Sequence, residues 1–193
     1  EAADKGREIM LEYNERAAVA RLLIPAFLAA QPSGLSHFAA GELAKLEDAI
    51  KQLPISVSLA EVQTRFPAVY EDCQRAFPAL VQLRAQQPLK IRARALHHIG
   101  EVRRVEQAVK LLQTATDHQT AMEQLGALLN ESHASLRDLY EVSTPRVNQL
   151  YEMIVTEPSI FGARLIGGGF GGNVLALTIE ENVTALTERI NTK

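Results

Sequence analysis

The chain has 193 residues, 47% of them hydrophobic and 22% charged, with a formal net charge of -3. This composition can fill one core and is ordinary for a single soluble domain. The acidic balance excludes a general nucleic-acid binder, which needs a clustered basic surface.

The opening segment "EAADKGREIM" has no apolar core of the kind a secretory leader carries. From Asp4 to Ala30, Ile9, Met10, Tyr13, Ala17, Ala20 and Ile24 fall at helical spacing and predict one apolar face. Pro25 is expected to kink or end that helix by removing a backbone donor. The patch "LLIPAFLAA" is far shorter than the roughly 20 residues needed to span a bilayer, so no membrane partner is expected. "QPSGLSHFAAG" reads as a loop, followed by a helix from about Ala40 to Leu53.

Ser58 to Glu61 has the form of a capping box and starts a short helix that Pro67 closes. A further helix is predicted from there to Gln86, interrupted in some way by Pro78. It carries the only cysteine, Cys73, whose acidic neighbours Glu71 and Asp72 disfavour a thiolate. A packed thiol in a reducing, cytoplasmic compartment is the simplest reading.

From Leu89 to Gln113, Ile91, Ala95, Ile99, Val102, Val105, Val109 and Leu112 predict a long amphipathic helix. The basic run from Lys90 to Arg104 lies on it, is interrupted by Glu101, and reads as a solvated face. His97 and His98 are adjacent, so their side chains diverge by about 100° and suit a helix surface better than a shared metal. Asp117 is expected to cap a helix running to about Arg137. Ser143 or Thr144 caps one that reaches Val155, with Pro145 in its first turn.

After Pro158 the texture changes. "ARLI" and "NVLALTI" are short, apolar and partly β-branched, and predict the two strands of a hairpin. Asn182 is expected to cap a last helix ending near Ile190. The fold class expected is α+β: mostly helical with a small antiparallel sheet. A lone hairpin is marginal, so further strands outside this sequence are expected to extend it.

Five of the 11 glycines lie between Gly167 and Gly172, joining the two strands. Successive glycines reach positive φ without steric cost and bring bare backbone up to a ligand. Converging amides of such a loop can hold an anion. The run is neither a Walker motif, which needs Gly-Lys-Ser or Gly-Lys-Thr, nor a dinucleotide fingerprint, since a strand follows it and not a helix. A plain wide turn is the alternative, against which Phe170 in mid-loop speaks.

"GARLIGGGFGGNVLAL" resembles the third motif of the GHMP small-molecule kinases, in particular the galactokinase form. "LGALLNESHASLRDLYEVSTPRVNQL", from Leu125 to Leu150, is similar to the block that precedes that motif. "LEYNERAAVA", from Leu11, and "RARALHHIGEVRRVEQAV", from Arg92, are weaker matches in the same order. The segment from about Ile24 to Lys90 is unmatched. Ile166, Asn173 and Ala18 to Ala20 depart from the galactokinase pattern, where threonine, cysteine, and arginine with cysteine stand.

The resemblance implies that the 193 residues are one domain, the C-terminal, substrate-side part of a two-domain sugar kinase. Such a kinase phosphorylates a sugar hydroxyl, in this branch the anomeric one, with ATP and Mg2+. The ATP site, the catalytic aspartate and its partner arginine belong to the family's N-terminal domain, so no catalytic residue and no metal ligand is expected here. Alone, the chain is expected to be inactive. Its expected partners are the sugar and that N-terminal domain.

Tyr13 matches a tyrosine that touches the sugar, with core packing as the equal alternative. Gly167, Gly168, Gly169, Phe170, Gly171 and Gly172 match the loop that borders the active site, where Gly168 and Gly169 approach the substrate. Arg164 matches the motif's arginine, as a phosphate contact or a strand-edge ion pair. Ser132 and His133 match the "ESHASLRD" block, His133 with a structural hydrogen bond. Two other readings stay open: a non-catalytic sugar-sensing or interaction module on the same fold, and a GHMP kinase for another small molecule.

Overall fold

A computed structural model of the chain describes residues 6–30 and 43–191. The loop expected around Pro32 to Gly41 lies outside them. Contacts group the described residues into two compact units, divided between Ile99 and Gly100.

The first unit is helical. Helix α1 (Arg7–Ala18) passes through a five-residue π turn (Val19–Leu23) into α2 (Ile24–Ala29). Pro25 sits in the first turn of α2, where its missing donor is tolerated, so the chain restarts as helix beyond the proline. Helices α3 (Leu43–Lys51), α4 (Leu59–Arg65), α5 (Pro67–Ala76) and α6 (Pro78–Arg84) follow. Ser58 caps α4 in the expected box: its side chain accepts from the Glu61 amide while the Glu61 carboxylate accepts from the Ser58 amide. Phe66 and Phe77 precede prolines and leave helical geometry at both, as steric clash with the proline ring requires. The expected single helix to Gln86 is therefore two.

One cluster fills this unit, with Leu23, Ile50, Leu53, Leu59, Leu80, Ile91 and Ala95 fully buried in it. The expected face of α1 is wrong at two positions: Met10 and Tyr13 are about half exposed. Leu11, Glu15, Arg16 and Ala18 are buried instead. The reason is a set of buried ion pairs that hydropathy alone does not register. Arg16 pairs with Glu12 at 2.5 Å and with Glu15. Arg84 of α6 donates to Glu12 at 2.5 Å and also pairs with Glu8. Arg94 lies 3.7 Å from Glu15. Burial alone would raise the Glu12 carboxyl, but hydrogen bonds and charge from Arg84 and Arg16 hold it below its ordinary value.

Cys73 is fully buried, and desolvation, with Asp72 nearby, pushes its thiol up to about 11. It is an inert packing group, as expected. His97 is buried, not on a helix surface as expected: the long helix α7 (Ile91–Thr114) is covered along its first turns, where Ile91, Arg94, Ala95, His97 and Ile99 are all buried.

The second unit holds the rest of α7, then α8 (His118–Asp138), α9 (Pro145–Val155), strands β1 (Gly162–Ile166) and β2 (Asn173–Leu177), and α10 (Val183–Asn191). Asp117 caps α8 through the Gln119 and Thr120 amides, and Thr144 caps α9 through the Val147 amide. Asn182 ends a 3-10 turn (Glu180–Asn182) that leads into α10. The stripe expected to be buried along α7 fails here: Val105, Val109 and Leu112 are 61%, 47% and 68% exposed. No described helix is long and apolar enough to cross a membrane.

β1 and β2 pair antiparallel with Ile166 opposite Asn173 and Gly162 opposite Leu177. Among the described residues they form the whole sheet, and α8 and α9 pack against it. Gly126 of α8 and Gly162 of β1 cross with no room for a side chain. A Cβ on Gly126 would overlap the Phe161 carbonyl, and one on Gly162 would overlap the Gly126 carbonyl. The outward-facing amides of β1, normally an unpaired edge, are taken by side chains of α8. Ala163 N–H donates to Asn130 Oδ1 at 2.9 Å. Leu165 N–H donates to His133 Nδ1 at 3.2 Å.

Candidate functional site

Six residues, Gly167 to Gly172, connect Ile166 to Asn173. Gly167, Gly169, Gly171 and Gly172 have positive φ, and so does Phe170 at 57°. A non-glycine residue in that region needs compensation, and Phe170 has it. Its amide donates to the Val142 carbonyl at 2.6 Å, and its ring packs on the cluster of Leu136, Val142, Val147 and Leu165. Gly169 is needed for a second reason: a Cβ there would lie 2.5 Å from Val142 Cβ. The loop is thus bolted at Gly169–Phe170 to the turn before α9.

Its other arc is bare. A Cβ on Gly167 or Gly168 would meet nothing within 4 Å, and Gly168 alone of these glycines escapes both strain and crowding. Such an arc presents backbone to whatever approaches, on a rigid mount. A depression of about 400 Å³ adjoins the loop, lined by Arg146, Gln149, Met153, Gly172 and Asn173. Arg146, exposed on the first turn of α9, supplies a cation there that sequence reasoning did not single out.

Arg164 lies on the strand face that carries Leu175. Its guanidinium is 3.2 Å from Glu101, which also receives Arg104 at 2.6 Å and the Ser132 hydroxyl at 2.8 Å. Burial alone would raise the Glu101 carboxyl; the hydrogen bonds from Arg104 and Ser132 and the charge of both arginines hold it low. Of the two roles open to Arg164, the structure contains the ion pair. Ser132 serves the same carboxylate. These residues line a groove of about 310 Å³ with Leu125, Leu128 and Leu175.

His133 is fully buried and makes a backbone hydrogen bond, as expected. Its ring stacks on Tyr151 with centroids 3.8 Å apart and planes 13° apart. Burial, with the charge of Arg137, holds its pKa below the ordinary value, against weaker opposing effects from Glu152, Asn148 and Asp138. Tyr151 in turn donates its hydroxyl to Asn130 Oδ1 at 3.1 Å. Tyr13 belongs to the first unit, half exposed on α1 beside the ion-paired Glu12. Among the described residues, no group of three or more histidine, cysteine or carboxylate side chains is close enough to hold a metal ion.

Glu101, Gly126 and Asn130 were missed as organising residues. Gly126 had a readable signal, because a glycine inside a helical run implies close approach of another backbone. Glu101 and Asn130 had none for their long-range contacts, since Ser132 and Ala163 lie 31 and 33 residues away from them.

Comparison with known proteins locates this unit. Residues 106–193 match the family described as GHMP kinases C terminal. Human galactokinase is 45% identical over 84 residues, which cover 44% of this chain and 20% of that protein. Galactokinase of Clostridium perfringens (strain SM101 / Type A) is 37% identical over 97 residues, 50% of this chain and 24% of that protein. The crystal structure of Lactococcus lactis galactokinase complexed with galactose superposes with a TM-score of 0.55 at 26% identity, covering 94% of this chain and 36% of that one. The matched stretch therefore spans about a fifth to a quarter of these curated relatives.

Proposed function

We propose, from the match of residues 106–193 to the family described as GHMP kinases C terminal, that the chain is the substrate-side portion of a galactokinase-like sugar kinase. The observation that supports it is the glycine loop, strained and bolted at Phe170 yet bare at Gly167 and Gly168. Phosphoryl transfer depends mainly on positioning and on fixed donors around developing charge. A rigid loop without side chains lets backbone approach a sugar hydroxyl or a phosphate more closely than any substituted loop can.

In this reading the glycine loop borders the sugar, and the anomeric hydroxyl accepts the phosphoryl group. Arg164, Ser132 and His133 support the loop from behind. ATP supplies the transferable phosphoryl group with Mg2+, both held mainly by the N-terminal kinase domain, and the protein works in the cytoplasm. The catalytic groups lie in that domain, so these residues alone have no kinase activity.

The test is Gly168→Ala in the full-length kinase, assayed with ATP and a panel of hexoses. Gly168 has unstrained φ and open space, so the folded protein should be as stable as wild type, within about 0.5 kcal/mol. We expect kcat/KM for the preferred sugar to fall by roughly tenfold or more, in line with losses seen when active-site geometry shifts. Unchanged turnover would reduce the loop to a turn, and a wild-type enzyme inactive on every sugar would end the kinase reading.

A further inference from the structure

We propose that His133, as the neutral ring carrying its proton on Nε2, is a positioning residue of the glycine loop: it holds the strand that enters the loop by accepting the Leu165 amide on Nδ1. The proposal rests on the reading above for what the loop does, but not for how the loop is held.

A two-stranded sheet leaves the outer amides of both strands unpaired, and β1 has no third strand among the described residues. Asn130 and His133 replace one. Residues three apart lie on one face of a helix, and these two take the amides of Ala163 and Leu165, two apart on the strand. Leu165 stands two residues before Gly167, and its side chain belongs to the cluster on which Phe170 sits. The register of β1, and with it the place where the bare arc begins, is therefore set by two side chains of α8. Tyr151 of α9 braces both, stacking on the His133 ring and donating to Asn130 Oδ1.

The acceptor exists in only one ionisation state. A ring that accepts on Nδ1 must carry its proton on Nε2. A second proton would set Nδ1–H against the Leu165 N–H. The groups facing the ring are Arg137 and Asp138 on α8 and Asn148, Tyr151 and Glu152 on α9. Burial and the Arg137 charge outweigh the two carboxylates, which keeps the ring neutral below its ordinary value of 6.5. Stability from this contact is complete above 6.5, where the unfolded chain is also neutral, and is lost as pH falls through the depressed folded value.

Two substitutions separate the acceptor from the ring. His133→Phe keeps an aromatic ring over Tyr151 but has no acceptor. His133→Asn loses the ring but places an amide oxygen where Nδ1 stood. Amide hydrogen exchange and imidazole nitrogen shifts are read by NMR on the full chain, with steady-state kinetics on the full-length kinase. We expect wild-type His133 at neutral pH to show one proton, on Nε2. In His133→Phe, Leu165 should exchange about tenfold faster, the equivalent of one net hydrogen bond, while Ala163 keeps its protection. His133→Asn should restore most of it, and kcat should follow Leu165 protection across the three proteins.

A proton on Nδ1, a Leu165 amide indifferent to His133→Phe, or a His133→Asn no better than the phenylalanine variant would overturn the proposal. If His133→Phe does not fold, the wild-type tautomer and the asparagine variant decide it. If Leu165 behaves as expected while wild-type enzyme phosphorylates no sugar, the positioning stands and the kinase reading falls.

Discussion

The two compact units solve the same problem, holding secondary structure that is weak alone, by opposite means. In Lys5–Ile99, short proline-broken helices are held by filling space: a large apolar cluster, flanked by Glu12, Glu15, Arg16, Arg84 and Arg94 in mutual ion pairs. In the second unit a two-stranded hairpin is held by removing side chains. Gly126 and Gly162 let helix and strand backbones touch, Gly169 lets the loop reach Val142, and polar side chains cap the strand edge. The first arrangement tolerates compensating exchanges of side chains, whereas at Gly126, Gly162 and Gly169 the second depends on the absence of a side chain, for which no substitute exists.

The sharpest way to break that contrast is Gly126→Ala. Its Cβ would overlap the Phe161 carbonyl, and backbone on both sides leaves nothing flexible to move. We expect a loss of about 3 kcal/mol or more in urea unfolding of the second unit; a loss below about 1 kcal/mol would mean that helix and strand can part freely. Somewhat smaller, Arg16→Leu leaves the buried Glu15, among the described residues, with Arg94 at 3.7 Å. We expect about 3 kcal/mol, the usual cost of stranding one partner of a buried pair. Replacing Glu15 and Arg16 together by leucine should recover most of it, since the pair was costly to desolvate in the first place. Failure of that rescue would show that the ion pairs are as irreplaceable as the glycines. Smallest is Ser58→Ala, which removes one half of the capping box of α4 and should cost about 1 kcal/mol by thermal unfolding, with the second unit unaffected.

The same contrast explains what was legible beforehand. Local chemistry was readable: the Ser58 box, the Asp117 and Thr144 caps and the strand-to-strand glycine run depend on residues within a few positions of one another. Burial was not. The spacing puts Tyr13 and Met10 on a core face, yet both are half exposed, and the interior side of α1 holds Glu15 and Arg16 in ion pairs instead. Val105, Val109 and Leu112 continued a correct apolar period beyond the point where anything covers it among the described residues. Periodicity reports what a helix face is able to bury, and neighbours decide whether it does.

By itself, then, the sequence determined the capped starts of α4, α8 and α9, where the hairpin turns, and that the turn carries bare backbone, because capping and glycine freedom act over a few bonds. Only the tertiary structure decided which part of that loop is bolted and which is open, that Glu101 gathers Ser132, Arg104 and Arg164, and that Asn130 and His133 stand in for a missing strand. Those outcomes depend on contacts between residues far apart in the chain, where the space left by a neighbour, and not the residue's own preference, sets what each group can do.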